Sequence, residues 1–180
     1  MTKLIFIRHS TPLIDPAIPA RDWVLSAEGH AAATALAGRL VRHGIGTVVS
    51  SDEPKARQTA EAIASTLRVP LALDRDLREH ERANVGYLQR SEFEAGIASF
   101  FAQPEELAFG DETADQVFAR FSAAVRRSAE PNRGTIALVT HGTALTLYLA
   151  RTTGIAPLPF WRSLTLPMAI TVEDGSPTIL

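Results

Sequence analysis

The stretch Lys3-Leu4-Ile5-Phe6-Ile7-Arg8-His9-Ser10 decides how this chain is organised. Residues 3–7 are rich in β-branched and aromatic side chains, which favours a short buried strand. A cation and an imidazole, Arg8 and His9, follow at the point where that strand would end. In open α/β sheets, ligands bind in the crevice at the carboxyl ends of parallel strands. These two side chains are therefore the first candidates for a functional site.

Composition limits the classes of protein to consider. The chain has 180 residues, 46% of them hydrophobic, and a formal net charge of −2, which predicts one globular domain over residues 1–180. This charge gives no electrostatic case for a nucleic-acid or anionic-membrane partner. The chain has no cysteine, which excludes disulfides, thiolate catalysis and Cys-zinc sites. The N-terminal apolar run is too short for a signal peptide or a spanning helix, so we expect a cytoplasmic protein.

Strand and helix patterns alternate along the chain. Apolar runs predict further strands at residues 46–50, 69–73, 135–140 and 168–172, with Pro70 indicating a sheet edge. Helices are predicted after the N-cap Ser26, from Pro54, after the capping boxes Ser91/Glu94 and Thr113/Gln116, and over residues 143–152. Gly44 and Pro131 are predicted to end helices, and residues 157–167 are predicted to form a loop. This alternation indicates an α/β fold with three layers, in which helices cover both faces of a mostly parallel sheet.

Reactive or anion-binding side chains follow three of the predicted strands. They are Arg8-His9, Ser50-Ser51 and Thr140-His141-Gly142. Because crossovers between parallel strands are right-handed, the carboxyl ends of successive strands share one edge of the sheet. A single histidine is more often structural than catalytic, so the prediction depends on the combination. His30 and His43 are interpreted as structural or surface residues, and the role of His80 stays open.

The order of these motifs resembles the histidine phosphatase superfamily, which has the phosphoglycerate mutase-like fold. The resemblance rests on Arg8-His9, Ser50-Ser51 with Gln58-Thr59-Ala60, Leu77-Arg78-Glu79, His141-Gly142 and the helix entry Trp23 to Gly29. Residues from about 84 to 110 lie outside it. The resemblance implies that the fold is phosphoglycerate mutase-like and that the substrate is a small phosphorylated molecule.

The resemblance also assigns roles. It implies that His9 attacks phosphorus to form a phosphohistidine, and that Glu79 protonates the leaving group and then activates water. His141 is the third catalytic residue, and Arg8 and Gly142 join it in binding the phosphoryl group. We expect no metal and no cofactor, because side-chain cations carry the phosphate charge.

Three positions depart from the family pattern. The phosphate-binding arginine of the family falls on Lys55, with Arg57 two residues later; both are candidates, and the register favours Lys55. A lysine binds phosphate as a point charge, without the two-pronged contact of arginine. Ser10 replaces the glycine after the histidine. Asp15 replaces an asparagine, and we assign it no phosphate contact because its carboxylate would repel the anion.

Three functions remain open. A phosphomonoester phosphatase is favoured, because the chain is short compared with the mutases that it resembles. A phosphoglycerate mutase-type phosphomutase and a catalytically weak phosphate-binding regulatory domain are the alternatives. We expect substrate specificity to lie in a cap over about residues 80–112, with Tyr87 as a substrate contact and Phe93, Phe100 and Phe101 as packing residues. The sequence leaves the oligomeric state open.

Overall fold

The computed structural model describes residues 2–130 and 134–180, and the predicted α/β fold is confirmed. Its central sheet contains, within those ranges, the strands β1 (Lys3–Arg8), β2 (Ile45–Ser50), β3 (Leu71–Leu73), β4 (Thr135–Thr140), β5 (Met168–Glu173) and β6 (Ser176–Ile179). The strand order is β3-β2-β4-β1-β5-β6. The first four strands run parallel, and β5 and β6 are antiparallel to their neighbours. The short strand β3 lies at the edge, as Pro70 predicts.

Helices cover both faces of this sheet. They are α1 (Ala27–Leu40), α2 (Pro54–Leu67), α3 (Arg90–Ala102), α4 (Ala114–Ala129), α5 (Gly142–Thr153) and α6 (Pro157–Ser163), with short 3-10 turns at Ala20–Asp22, Val41–His43 and Arg75–Leu77. Side chains of a strand alternate between faces, so Ile5 and Ile7 pack with α1 and α2 while Phe6 packs with α4 and α5. None of the helices in the described ranges has the length and apolar character needed to cross a membrane.

Several local predictions are corrected by the structure. The capping box of α3 joins Gln89 to Glu92 instead of Ser91 to Glu94, so the helix begins one residue before Ser91. Residues 157–163 form α6 and not a loop, with Pro157 in the first turn, where a missing N–H has no cost. The capping box of Thr113 and Gln116 is confirmed. The predicted stop at Pro131 lies outside the described residues.

The topology brings three strand ends to one edge of the sheet. β4 lies between β1 and β2, and all three run parallel. The backbone N–H of His9 donates to Thr140 over 2.9 Å, and that of Ser51 donates to Val139 over the same distance. His141 follows β4 directly. The predicted meeting of these strand ends is confirmed, and it places the two histidines side by side.

Candidate active site

The imidazole of His9 lies just beyond β1 and is 7% exposed. Its Nδ1 lies 2.7 Å from the carbonyl oxygen of Ser10. A carbonyl oxygen only accepts, so Nδ1 carries the proton and Nε2 keeps its lone pair. Burial first, then the positive charges of Lys55 and Arg8, lower the pKa of His9 to about 3. The ring is therefore neutral, as a nucleophile must be.

Ser10 holds the loop after His9 against two helices. Its backbone N–H donates to the Thr59 hydroxyl over 2.9 Å, and its own hydroxyl donates to the carbonyl oxygen of Gly29 over 2.7 Å. Gly29 lets α1 approach this loop, because a Cβ there would overlap the carbonyl oxygen of Thr11. The serine that replaces the family glycine thus ties the loop after His9 to α1.

His141 is fully buried at the start of α5, and its ring centroid lies 5.0 Å from that of His9. Its Nε2 lies 2.9 Å from the hydroxyl of Ser51, which already accepts the N–H of Glu53. The Ser51 hydroxyl proton has no other acceptor among the described residues, so it donates to Nε2 and the His141 proton is on Nδ1. This Nδ1 has no hydrogen-bond partner in the described part of the chain. Burial and the Lys55 charge hold the pKa of His141 well below its usual value.

Arg8 brings a second unsatisfied donor to the same place. Its Nη1 donates to the carbonyl oxygen of Leu164 over 2.8 Å, while its buried Nε has no partner among residues 2–130 and 134–180. Gly142 lies against this guanidinium, since a Cβ there would stand 3.1 Å from Nε. Buried donors are normally paired, so the free atoms on Arg8 and His141 mark where an anion would bind.

The structure brings Lys55 to the site and leaves Arg57 outside it. Lys55 is 5% exposed and donates from Nζ to Glu53 over 2.6 Å and to the Ala20 carbonyl oxygen over 2.8 Å. Arg57 is exposed, pairs with Glu61 at 3.4 Å and does not line the cavity. Two residues in a helix are about 200° apart, so the side chains point in opposite directions. This corrects the inclusion of Arg57 among the phosphate-binding candidates.

The carboxylate of Glu79 caps the first turn of α5. It accepts the backbone N–H groups of Thr143 at 3.0 Å, Ala144 at 2.9 Å and His80 at 2.9 Å. Burial acts to raise the pKa of Glu79, but the Arg82 charge and these donors together hold it far below its usual value. The amides of Thr143 and Ala144 are therefore not open to phosphate, because Glu79 occupies both.

A second carboxylate in the site, that of the buried residue Glu53, is one that the sequence pattern did not predict. It is 7% exposed, and its Oε1 accepts the backbone N–H of Glu79 over 2.9 Å. Its Oε2 pairs with Lys55 and lies 3.7 Å from Nδ1 of His141. An acidic residue at the start of a helix is ordinary, because it complements the helix dipole. The sequence therefore carried no signal for its place in the site.

These side chains form the inner end of a cavity of about 670 Å³. Its outer wall is largely apolar and includes Ile14, Ile18, Trp23, Tyr87, Phe93 and Trp161. Phe100 is buried in the core as predicted, whereas Phe93 packs against Phe109 and Trp161 and also lines the cavity. Tyr87 also lines it and is 59% exposed.

The structure also shows the surroundings of Asp15 and His80. Asp15 does not line the cavity; it accepts the N–H of Ala17 and stabilises its own loop. His80 is 2% exposed, its ring lies 4.1 Å from that of Phe100, and burial lowers its pKa to about 4. No cluster of three or more histidine or acidic side chains that could hold a metal ion occurs among the described residues.

The model of the histidine phosphatase superfamily (branch 1) matches residues 4–177, whereas no curated protein matches the chain in sequence. YhfR of Bacillus stearothermophilus has a similar structure, with 22% identity, coverage of 99% of this chain and 95% of that one, and a TM-score of 0.76. A mycobacterial glucosyl-3-phosphoglycerate phosphatase has 21% identity, coverage of 98% and 96%, and a TM-score of 0.71.

A phosphoserine phosphatase from Entamoeba histolytica, solved with phosphoserine, is 17% identical, with a TM-score of 0.72 over 99% of this chain and 95% of that one. At these identities the structural likeness concerns the fold, and the family model supplies the membership. Since that model spans nearly the whole chain and both strand-end histidines, this protein belongs to the histidine phosphatase superfamily, branch 1.

Proposed function

We propose that this protein hydrolyses small phosphomonoesters through a phosphohistidine intermediate on His9. The observation that carries the proposal is the Nδ1 contact of His9 with Ser10, because it leaves a neutral ring with a free Nε2 beside two cations. The unpaired donors of Arg8 and His141 support a phosphoryl site next to that nitrogen. Superfamily membership and the two phosphatases of similar structure agree with this chemistry.

The reaction needs a nucleophile, charge neutralisation and a proton donor. In the first step, Nε2 of His9 forms a bond to phosphorus while the ester P–O bond breaks. Arg8, Lys55 and His141 stabilise the phosphoryl oxygens as the negative charge shifts. In the second step, water attacks the phosphohistidine, inorganic phosphate leaves, and the lone pair of Nε2 is restored.

Glu79 supplies the proton in the first step and takes one from water in the second. Without substrate it is ionised, because three backbone N–H groups and Arg82 stabilise the charge. An arriving phosphate dianion raises the pKa of Glu79 by like-charge repulsion. The proton that the leaving group needs is thus taken up with the substrate. Side-chain cations bind the phosphoryl group in this scheme, which assigns no role to a metal.

A panel of phosphomonoesters, assayed for phosphate release with and without a chelator, tests this proposal. We expect release of inorganic phosphate that the chelator does not reduce. Transfer between the hydroxyls of phosphoglycerate without release would instead identify a phosphomutase. Phosphate binding without release from any ester would indicate a regulatory domain. The same panel would define the small phosphorylated partner, and cell fractionation would test the proposed cytoplasmic location.

A further inference from the structure

The ammonium group of Lys55 is shared between the phosphate site and a buried carboxylate. Its Nζ lies 2.6 Å from Oε2 of Glu53 and 2.8 Å from the carbonyl oxygen of Ala20. An ammonium has three donors, so one remains for a phosphoryl oxygen. Both side chains of the ion pair are 7% exposed, so water screens their charges little.

The inner end of the cavity therefore holds carboxylates as well as cations before any substrate binds. Arg8, Lys55 and Arg82 line the cavity together with Glu53 and Glu79. His9 and His141 are neutral, since burial lowers the pKa of each. A phosphate dianion that enters this pocket must share Lys55 with Glu53, which already accepts from its ammonium group.

We propose that Glu53 competes with the phosphoryl group for Lys55 and thereby weakens the binding of inorganic phosphate, so that the product leaves readily. This inference rests on the proposed phosphatase function. It makes Glu53 a positioning residue, which acts on phosphate through Lys55 and not by direct contact. The carboxylate of Glu53 is held beside Lys55, because one of its oxygens accepts the N–H of Glu79 and the other accepts from Lys55. A phosphoryl group that binds Lys55 therefore meets this carboxylate.

Glu53→Gln tests the proposal, because it keeps the shape of the side chain and removes its charge. We expect calorimetry with inorganic phosphate to give about tenfold tighter binding, in line with the loss of one nearby charge in a partly screened site. Glu61→Gln is the matched control, since Glu61 lies on the same helix, α2, and pairs with the exposed Arg57. We expect the control to bind phosphate as the parent protein does.

If the role of Glu53 is purely structural, the change in phosphate affinity has the opposite sign. If Glu53 only holds Lys55 in place, Glu53→Gln weakens phosphate binding, and that result or an unchanged affinity overturns the proposal. The gain should also vanish in a Lys55→Met background, because the contested cation is then absent. If Glu53→Gln does not fold by circular dichroism, Glu53→Asp takes its place, and its retracted carboxylate should give a smaller gain of the same sign. A failure to tighten overturns the proposal.

These outcomes are distinct from those of the phosphoester panel. Phosphate binding is measured without turnover, so it reports on Glu53 even if no ester is hydrolysed. Where turnover is measurable, Glu53→Gln should lower both KM and kcat, because tighter product binding slows phosphate release. A fall in kcat with a rise in KM would contradict competition.

Discussion

Nδ1 of His9 donates a 2.7 Å hydrogen bond to the carbonyl oxygen of Ser10, its neighbour in the chain. This contact fixes the tautomer of the ring and leaves Nε2 free. Ser10 is held in turn by Thr59 of α2 and by Gly29 of α1. The position of the proposed nucleophile therefore depends on the packing of two helices against the loop that follows β1.

The close approach of α1 to this loop predicts contrasting effects of two substitutions. Gly29→Ala places a Cβ on the carbonyl oxygen of Thr11, so we expect a loss of about 1–3 kcal/mol in the free energy of unfolding and lower activity. Gly38→Ala is the control on the same helix. It meets no atom within 4 Å and should stabilise the protein by up to about 1 kcal/mol. Urea denaturation measures both, and equal effects would contradict the close approach.

The opposite orientations of Lys55 and Arg57 predict unequal losses of phosphate affinity. Lys55→Ala removes a buried cation and leaves Glu53 unpaired, so we expect phosphate to bind at least about tenfold more weakly. Arg57→Ala removes an exposed charge that pairs with Glu61 and should change the affinity less than about twofold. Calorimetry with inorganic phosphate compares the two variants. A larger loss for Arg57→Ala would show that the cavity is wrongly assigned.

The charge of Arg82 predicts a shift in the pH dependence of leaving-group protonation. Arg82 stabilises the ionised form of Glu79 and so lowers its pKa. Arg82→Gln should raise that pKa, increase the protonated fraction of Glu79 at a given pH, and move the decline of activity with rising pH to higher pH. The ratio of alkyl to aryl phosphate turnover measures this effect, because aryl leaving groups need less protonation.

Arg90→Gln is the control for the Arg82 experiment. Arg90 also lines the cavity but pairs with Glu94 at 2.9 Å. Its loss should leave the pH profile in place. If Arg82→Gln moved the decline to lower pH, or if both variants shifted it equally, the proposed influence of Arg82 on Glu79 would be wrong.

The neutral, buried state of His9 predicts a loss of stability in acid. The pKa of His9 is about 3 in the folded protein and about 6.5 in an unfolded chain. Between these values the unfolded state binds more protons, so the free energy of unfolding falls as pH falls through that window. For His9 alone the loss is about 2 kcal/mol at pH 5. Urea unfolding at pH 7 and pH 5 should show a smaller loss for His9→Asn, and an unchanged loss for the exposed control His30→Asn.

The sheet that positions the site was predictable from the sequence. β1 and β4 are buried parallel strands, which appear as continuous apolar runs. The elements that were missed have weaker patterns: β6 is an exposed edge strand containing Pro177, and α6 begins with two prolines in three residues. Their conformations are set by neighbours in space and not by periodicity.

The site was predictable only in part, for a similar reason. Arg8, His9 and His141 follow strands, so the topology alone brings them together. The ion pair of Glu53 with Lys55 and the three amides around Glu79 depend on how separate segments pack. Glu53 contacts the backbone of Glu79, 26 residues away, and no local pattern in the sequence encodes that contact.

The phosphohistidine on His9 is the central claim, and it can be trapped directly. The protein is mixed with a labelled aryl phosphate, quenched within one turnover and mapped by mass spectrometry. We expect an acid-labile phosphoryl group on His9 of the parent protein, and His9→Ala should lose this group and turnover together. The control His30→Asn should keep both. Continued turnover by His9→Ala, or a phosphoryl group on any other residue, would contradict the account.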